Sequence, residues 1–168
     1  WHRGRLIAMS GASEAHNQIC VNLIAALHTA LRGHPCRVYS HDMRVKPESA
    51  GSYVYPDIVI ACPPIDFLDD HRDTLINPRV VIEVLSPSTE SYDRGAKFDL
   101  YREASSLQQY VLVSQTAARV VSYVRQSEGI AWMMLPLDQV GDVLEFPTLN
   151  IQVPLSEIFR DVELPTSS

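Results

Sequence analysis

Two carboxylates and one ammonium stand where burial and charge meet in this sequence. Asp57 opens the apolar run DIVIAC after Pro56, Glu83 interrupts the β-branched run VVIEVL, and Lys97 follows in a segment with helical spacing. An ionised carboxylate buried without a partner is costly, so Glu83 needs a cation, a hydrogen-bonding shell or an exit to solvent. If the strands carrying Asp57 and Glu83 are neighbours, their carboxylates converge and raise one another's pKa unless a divalent cation sits between them. Hard cations such as magnesium prefer oxygen donors and partner with phosphates. The pair therefore reads as a magnesium platform for phosphate chemistry.

Each residue also has a plainer reading. Asp57 could hydrogen-bond the loop before its strand, and Glu83 could be neutral or paired with an arginine. Asp93 and Lys97 are four apart, an ordinary helical ion-pair spacing worth a few tenths of a kcal/mol, and Tyr101 could simply cover the core. Glu14 is favoured near a helix start whatever else it does. His16, with no second histidine at ligand spacing, is by default a satisfied or exposed histidine.

These residues need elements to position them. Residues 5–9 (RLIAM) predict a short strand. Ser13 then caps a long helix whose apolar face is Ile19, Leu23, Leu27 and Leu31, widened by Cys20 and Ile24 and stopped by Gly33 and Pro35. The stretch 36–45 alternates as a half-buried strand with Val38 and Tyr39 inward, and 46–56 is a loop by its Pro, Gly and Ser content. A strand starts at Asp57, and 64–78 reads as a loop or short helix crossing over to the next one. RVVIEVLS has the pattern of a central strand covered on both faces. From Glu90 to Ala104 a helix returns with Ala96, Leu100 and Ala104 on one face. Three strands and a closing strand with a short helix or turn follow. The order β-α-β-β-β-α-β-β-β is an α/β sheet with helices on at least one face.

Length and composition set limits. The 168 residues suit one domain spanning 1–168 that needs no metal or disulfide staple. With no apolar run of transmembrane length and no signal peptide, a soluble, cytoplasmic protein without a membrane partner is expected. Beginning at Trp1 is expected of a fragment. Cys20, Cys36 and Cys62 lack C-x-x-C spacing and read as reduced, mostly buried thiols. No H-E-x-x-H, G-x-S-x-G, Walker loop or G-x-G-x-x-G is present. A net charge of −6 opposes non-specific attraction to a phosphate backbone, an objection that weakens where a divalent cation inverts the local sign.

Taken in order, P-D, a glutamate near the end of the next buried strand, and a lysine on the following helix resemble the PD-(D/E)XK nuclease superfamily. More closely, the chain resembles the Uma-two family of restriction-type endonucleases. The matching stretches are S-x-x-H (Ser13 to His16), YPDIVIAC (55–62), PRVVIEVLSPST (78–89), D-x-x-x-K-x-x-x-Y (Asp93, Lys97, Tyr101) and QYVLV (109–113). The resemblance implies a restriction-endonuclease-like mixed β-sheet flanked by helices. In it Asp57, Glu83 and the main-chain carbonyl of Val84 hold Mg2+ or Mn2+, and a metal-activated water cleaves DNA without a covalent intermediate. The common superfamily pattern puts the lysine two residues after the glutamate, where this chain has Leu85. Lys97 would act from the helix instead, held by Asp93 and Tyr101. Glu14 and His16 would sit at the edge of the same cleft, the first as an accessory metal or water ligand, the second as a contact to phosphate or to a metal-holding side chain. Such nucleases often cut duplexes as dimers. The rival expectation is a non-catalytic module that keeps the fold and binds protein or nucleic acid.

Overall fold

The computed structural model describes residues 12–47, 51, 53–126, 131–139 and 141–165. The strand expected at 5–9 lies outside them. The chain opens with α1 (Glu14–Ala30), whose N-cap Ser13 accepts a hydrogen bond from the His16 N–H at 3.1 Å. This satisfies one of the helix's orphan donors. There follow β1 (Arg37–Ser40), β2 (Arg44–Val45), β3 (Ile58–Ala61), β4 (Thr74–Leu75), β5 (Val80–Leu85), α2 (Glu90–Arg94) and α3 (Ala96–Arg102). The chain continues through β6 (Gln109–Ser114), β7 (Val120–Arg125), β8 (Trp132–Leu137), β9 (Val143–Phe146), β10 (Ile151–Pro154) and α4 (Leu155–Ile158).

Among the described residues, six strands form one mixed sheet in the order β1-β3-β5-β6-β7-β8. Only β5 and β6 run parallel; the other pairs in this sheet are antiparallel. A parallel pair needs a long crossover, and α2 and α3 provide it. The two-residue alternation of β5 then assigns its side chains. Val80, Ile82 and Val84 face α1 with Ile19, Leu23 and Leu27, while Val81 and Leu85 face the opposite layer with Tyr101, Leu107 and Tyr110. Glu83 has the parity of Val81 and Leu85, so it faces α3. The hairpin β9–β10 and α4 close the α1 side, where the Asn22 amide donates to the carbonyls of Ile158 and Arg160 at 3.0 and 2.8 Å.

Several expectations are corrected. The stretch 36–45 is two short strands in different sheets, and Val38 and Tyr39 pack against opposite cores. Residues 64–78 carry β4 and no helix, because β3 and β5 are antiparallel and need no crossover. The helix expected over 90–104 is two, broken at Gly95, where φ −117° and ψ −101° leave the helical region. Its inward stripe is Lys97, Tyr101 and Ala104, while Ala96 is exposed.

The cysteines are the clearest correction: Cys36 and Cys62 are bridged and only Cys20 is free. The antiparallel register pairs Arg37 with Ala61, so the next step outward brings Cys36 and Cys62 face to face. Closing a loop of this length restricts the unfolded chain and is worth about 3 kcal/mol. Reduction, or the double change Cys36→Ser with Cys62→Ser, should lower unfolding stability by that amount in urea melts. An unchanged midpoint would contradict it.

Candidate active site

The register that pairs Ile58 with Ile82 places Asp57, one residue before β3, opposite Glu83. The main chain ties the two acids together. The Val84 N–H donates to Asp57 Oδ2 at 2.8 Å, and the Asp57 N–H donates to Glu83 Oε2 at 3.3 Å. In a strand the N–H and C=O of one residue leave on the same side, so the Val84 carbonyl also looks toward Asp57.

Lys97 reaches this pair from α3. Its Nζ lies 2.8 Å from Glu83 Oε1 and 3.3 Å from Asp93 Oδ1, and donates to the Tyr55 carbonyl at 3.3 Å. Glu83, Asp93 and Lys97 are 2%, 3% and 9% exposed, so these are low-dielectric contacts and not surface ion pairs. Burial pushes the Glu83 carboxyl up to about 8, with Lys97 pulling against the rise and Asp57 and Asp93 adding to it. Burial alone would lower the Lys97 pKa, but Glu83 and Asp93 outweigh it and hold the ammonium above its ordinary value. Within the pair the proton therefore stays on Lys97.

The other predicted residues are placed as follows. His16 Nε2 lies 3.4 Å from Asp57 Oδ1, and its Nδ1 is buried without a hydrogen-bond partner among the described residues. The start of α1 is pinned because Ser13 Oγ donates to Gln115 Oε1 just beyond β6. Tyr101 is fully buried one turn beyond Lys97, with its ring 5.7 Å from that of Tyr110, and its hydroxyl has no hydrogen-bond partner among the described residues. It therefore packs beneath the helix and does not bond Lys97. Tyr110 instead donates to the Asp93 main-chain carbonyl at 2.9 Å. Glu14 is exposed in the first turn of α1 and is not among the residues brought together.

Sequence reasoning missed two members. Tyr55 contributes only a main-chain carbonyl, which leaves no side-chain signature. Cys20 joins His16 and Asp57 in a group whose ligand-type atoms lie within 4.8 Å of one another. The i,i+4 spacing of His16 and Cys20 on α1 was the available signal. Burial, then Asp57 and Glu83, push the Cys20 thiol up to about 12, so it is neutral at physiological pH. The oxygens of Asp57, Glu83 and the Val84 carbonyl are the donors suited to a hard cation. Three acids facing one lysine, with Glu83 already raised toward holding a proton, fit such an ion.

Comparisons with known proteins bear on the family and the fold. A family model described as "Putative restriction endonuclease" (Uma2) matches residues 1–156. "Uncharacterized protein slr1290" of Synechocystis sp. (strain ATCC 27184 / PCC 6803 / Kazusa) is 35% identical over 94% of this chain and 80% of its own length. "Uncharacterized protein sll1609" of the same organism is 30% identical over 89% of this chain and 84% of its own. The crystal structure of a "putative nuclease belonging to DUF820" from Anabaena variabilis ATCC 29413 has the same fold, with a TM-score of 0.76 at 15% identity, covering 94% of this chain and 87% of that one.

Proposed function

Because the chain belongs to the Uma2 family of "Putative restriction endonuclease" proteins, we propose that it is a Mg2+- or Mn2+-dependent endonuclease that hydrolyses DNA phosphodiester bonds at Asp57, Glu83 and Lys97. The observation that carries this reading is the buried contact of Lys97 Nζ with Glu83, 2.8 Å across two elements, beside a second carboxylate tied to the same strand. Asp57, Glu83 and the Val84 carbonyl would hold the cation, which when bound neutralises phosphate charge and acidifies water.

The remaining roles belong to the chain itself. Lys97 orients Glu83 and presents a fixed positive charge toward oxygens that gain charge as the ester breaks. Asp93 and the Tyr55 carbonyl fix the ammonium. His16, part-exposed with Nε2 at Asp57, would turn that nitrogen to a phosphate oxygen or act through Asp57. Two copies pairing along edge strand β8, where Met133, Met134 and Leu135 are exposed, belong to the same proposal, and a solution mass of one 18.8 kDa chain would remove that part. No helix among the described residues is long and apolar enough to cross a membrane. A cytoplasmic placement and the Cys36–Cys62 bridge pull apart, since disulfides persist mainly in oxidising compartments. Thiol labelling of the native chain taken directly from cells decides between them.

The raised Glu83 pKa sets a pH dependence. Between its unfolded value of 4.5 and its folded value of about 8 the native state holds the extra proton, so this group's contribution to stability is complete at acid pH and is lost as pH rises through about 8. Cation binding needs the ionised carboxylate, so Mn2+ affinity should rise by up to about tenfold per pH unit until about 8. Calorimetry in buffers of different ionisation enthalpy should show a proton released, and pH-independent affinity without proton release would contradict this.

The function is tested by incubating end-labelled duplex DNA, single-stranded DNA and RNA with Mg2+ or Mn2+, with and without chelator, and sizing the products. Chelator-sensitive internal cuts in DNA are expected. The net charge of −6 favours the second reading, a non-catalytic interaction module that retains the nuclease fold. Retention of DNA or a protein partner with no cutting under any metal would favour that module.

A further inference from the structure

A second site lies at the opposite end of the sheet. Asp57 precedes β3 and Cys62 follows it, while Arg79 precedes β5 and Glu83 is its fourth residue. Four residue steps along the strand lead from Arg79 to Glu83, about 13 Å. At the Cys62 and Arg79 end is a cleft of about 390 Å³, walled by the Cys36–Cys62 bridge and by Pro35, Pro63 and Pro64.

Its polar lining is His34, Asn77, Arg79, Ser106 and Thr148, with the Asn77 amide engaged by the Pro64 carbonyl and Asp66. Arg79 Nε and Ser106 Oγ are both buried, and neither has a hydrogen-bond partner among the described residues. His34 Nδ1 accepts the Cys36 N–H at 3.2 Å, so the neutral ring carries its proton on Nε2. The Thr148 hydroxyl adds a further donor, and no acidic side chain lines the cleft among the described residues. A buried guanidinium N–H without an acceptor is costly, and an acceptor-only anion is the group that relieves it. In a chain of net charge −6, a cationic cleft free of acids is a built feature and not a reflection of overall charge. The volume is that of a small-molecule site, larger than a bare phosphate fills, and the proline walls and bridge offer apolar surface to a ring.

We propose that this cleft binds a phosphomonoester of mononucleotide size, with the phosphate on Arg79 and Ser106 and the organic body against the proline walls. It is separate from the carboxylate site and does not depend on the nuclease reading. The test is calorimetric titration of the whole chain, in the presence of chelator, with adenosine 5′-monophosphate, inorganic phosphate and adenosine. Saturable nucleotide binding below about 1 mM is expected, with phosphate roughly tenfold weaker and adenosine undetectable. Arg79→Gln should weaken the nucleotide by at least about tenfold, and Glu83→Gln should leave it unchanged. Circular dichroism checks that the variants fold. If Arg79→Gln does not fold, Ser106→Ala and amide exchange on the native chain replace it, with nucleotide expected to protect residues 34, 36 and 106 and not 57 or 83. The proposal is overturned by no saturable binding to about 10 mM, by adenosine binding as well as the nucleotide, or by losses or protection that follow Glu83 and not Arg79 or Ser106.

Discussion

A Lys97→Met chain should lose DNA cleavage by about a hundredfold to a thousandfold and about 3 kcal/mol of folding stability at neutral pH. Both losses have one cause. The ammonium touches Glu83 at 2.8 Å and Asp93 at 3.3 Å in a site where all three groups are buried. Methionine fills the space but leaves buried Asp93 without its cation and Glu83 without the donor that faces it, and removing one partner of such a group is far worse than never having made it. Glu83, which already keeps its proton up to about 8, would keep it to higher pH, since the lysine is what pulls its raised pKa back down. The stability deficit should therefore be smaller at pH 5, where Glu83 is neutral in both chains, than at pH 8, where it begins to ionise against Lys97 in the native chain. Denaturant melts at pH 5 and pH 8 check this, and a deficit that grows at low pH would contradict it.

Glu83→Gln and Asp57→Asn should give the opposite profile, with cleavage reduced on the order of 10⁴-fold and stability changed by no more than about 1 kcal/mol. The side-chain amide that Asp57→Asn introduces would still offer an oxygen to the Val84 N–H, which Asp57 accepts at 2.8 Å. In Glu83→Gln, Lys97 keeps Asp93 and the Tyr55 carbonyl, and the burial cost of an ionised Glu83 disappears. What both variants lose is negative charge on a donor set suited to a hard cation. Steady-state cleavage beside urea melts separates the two effects, and a variant that remains folded and keeps cutting would remove that carboxylate from the mechanism.

The sequence was most informative where one signal sufficed. The four-residue repeat and Ser13 cap mark α1, and the unbroken β-branched run marks β5 as a strand buried on both faces. The parity of Glu83 within β5 already points it toward the following helices, and the four-residue spacing of Asp93 and Lys97 anticipates their ion pair. Features set by tertiary pairing were not legible. Strands β2 and β4 are two residues long, too short for any periodicity. The Cys36–Cys62 bridge follows from the β1–β3 register, which two isolated cysteines do not encode. Cys20 was read as part of an apolar stripe because burial and ligation ask for the same residue at the same place. The break at Gly95 hid inside a plausible helix and shifted the buried stripe from Ala96 to Lys97, toward the charged site.

The most direct test of the central claim is a side-by-side cleavage time course on labelled duplex DNA in Mg2+ and in Mn2+, for the native chain and for Glu83→Gln at equal folded concentration. Metal-dependent cutting by the native chain that Glu83→Gln abolishes is the predicted result. No cutting by the native chain in either metal, or equal cutting by both chains, would contradict it.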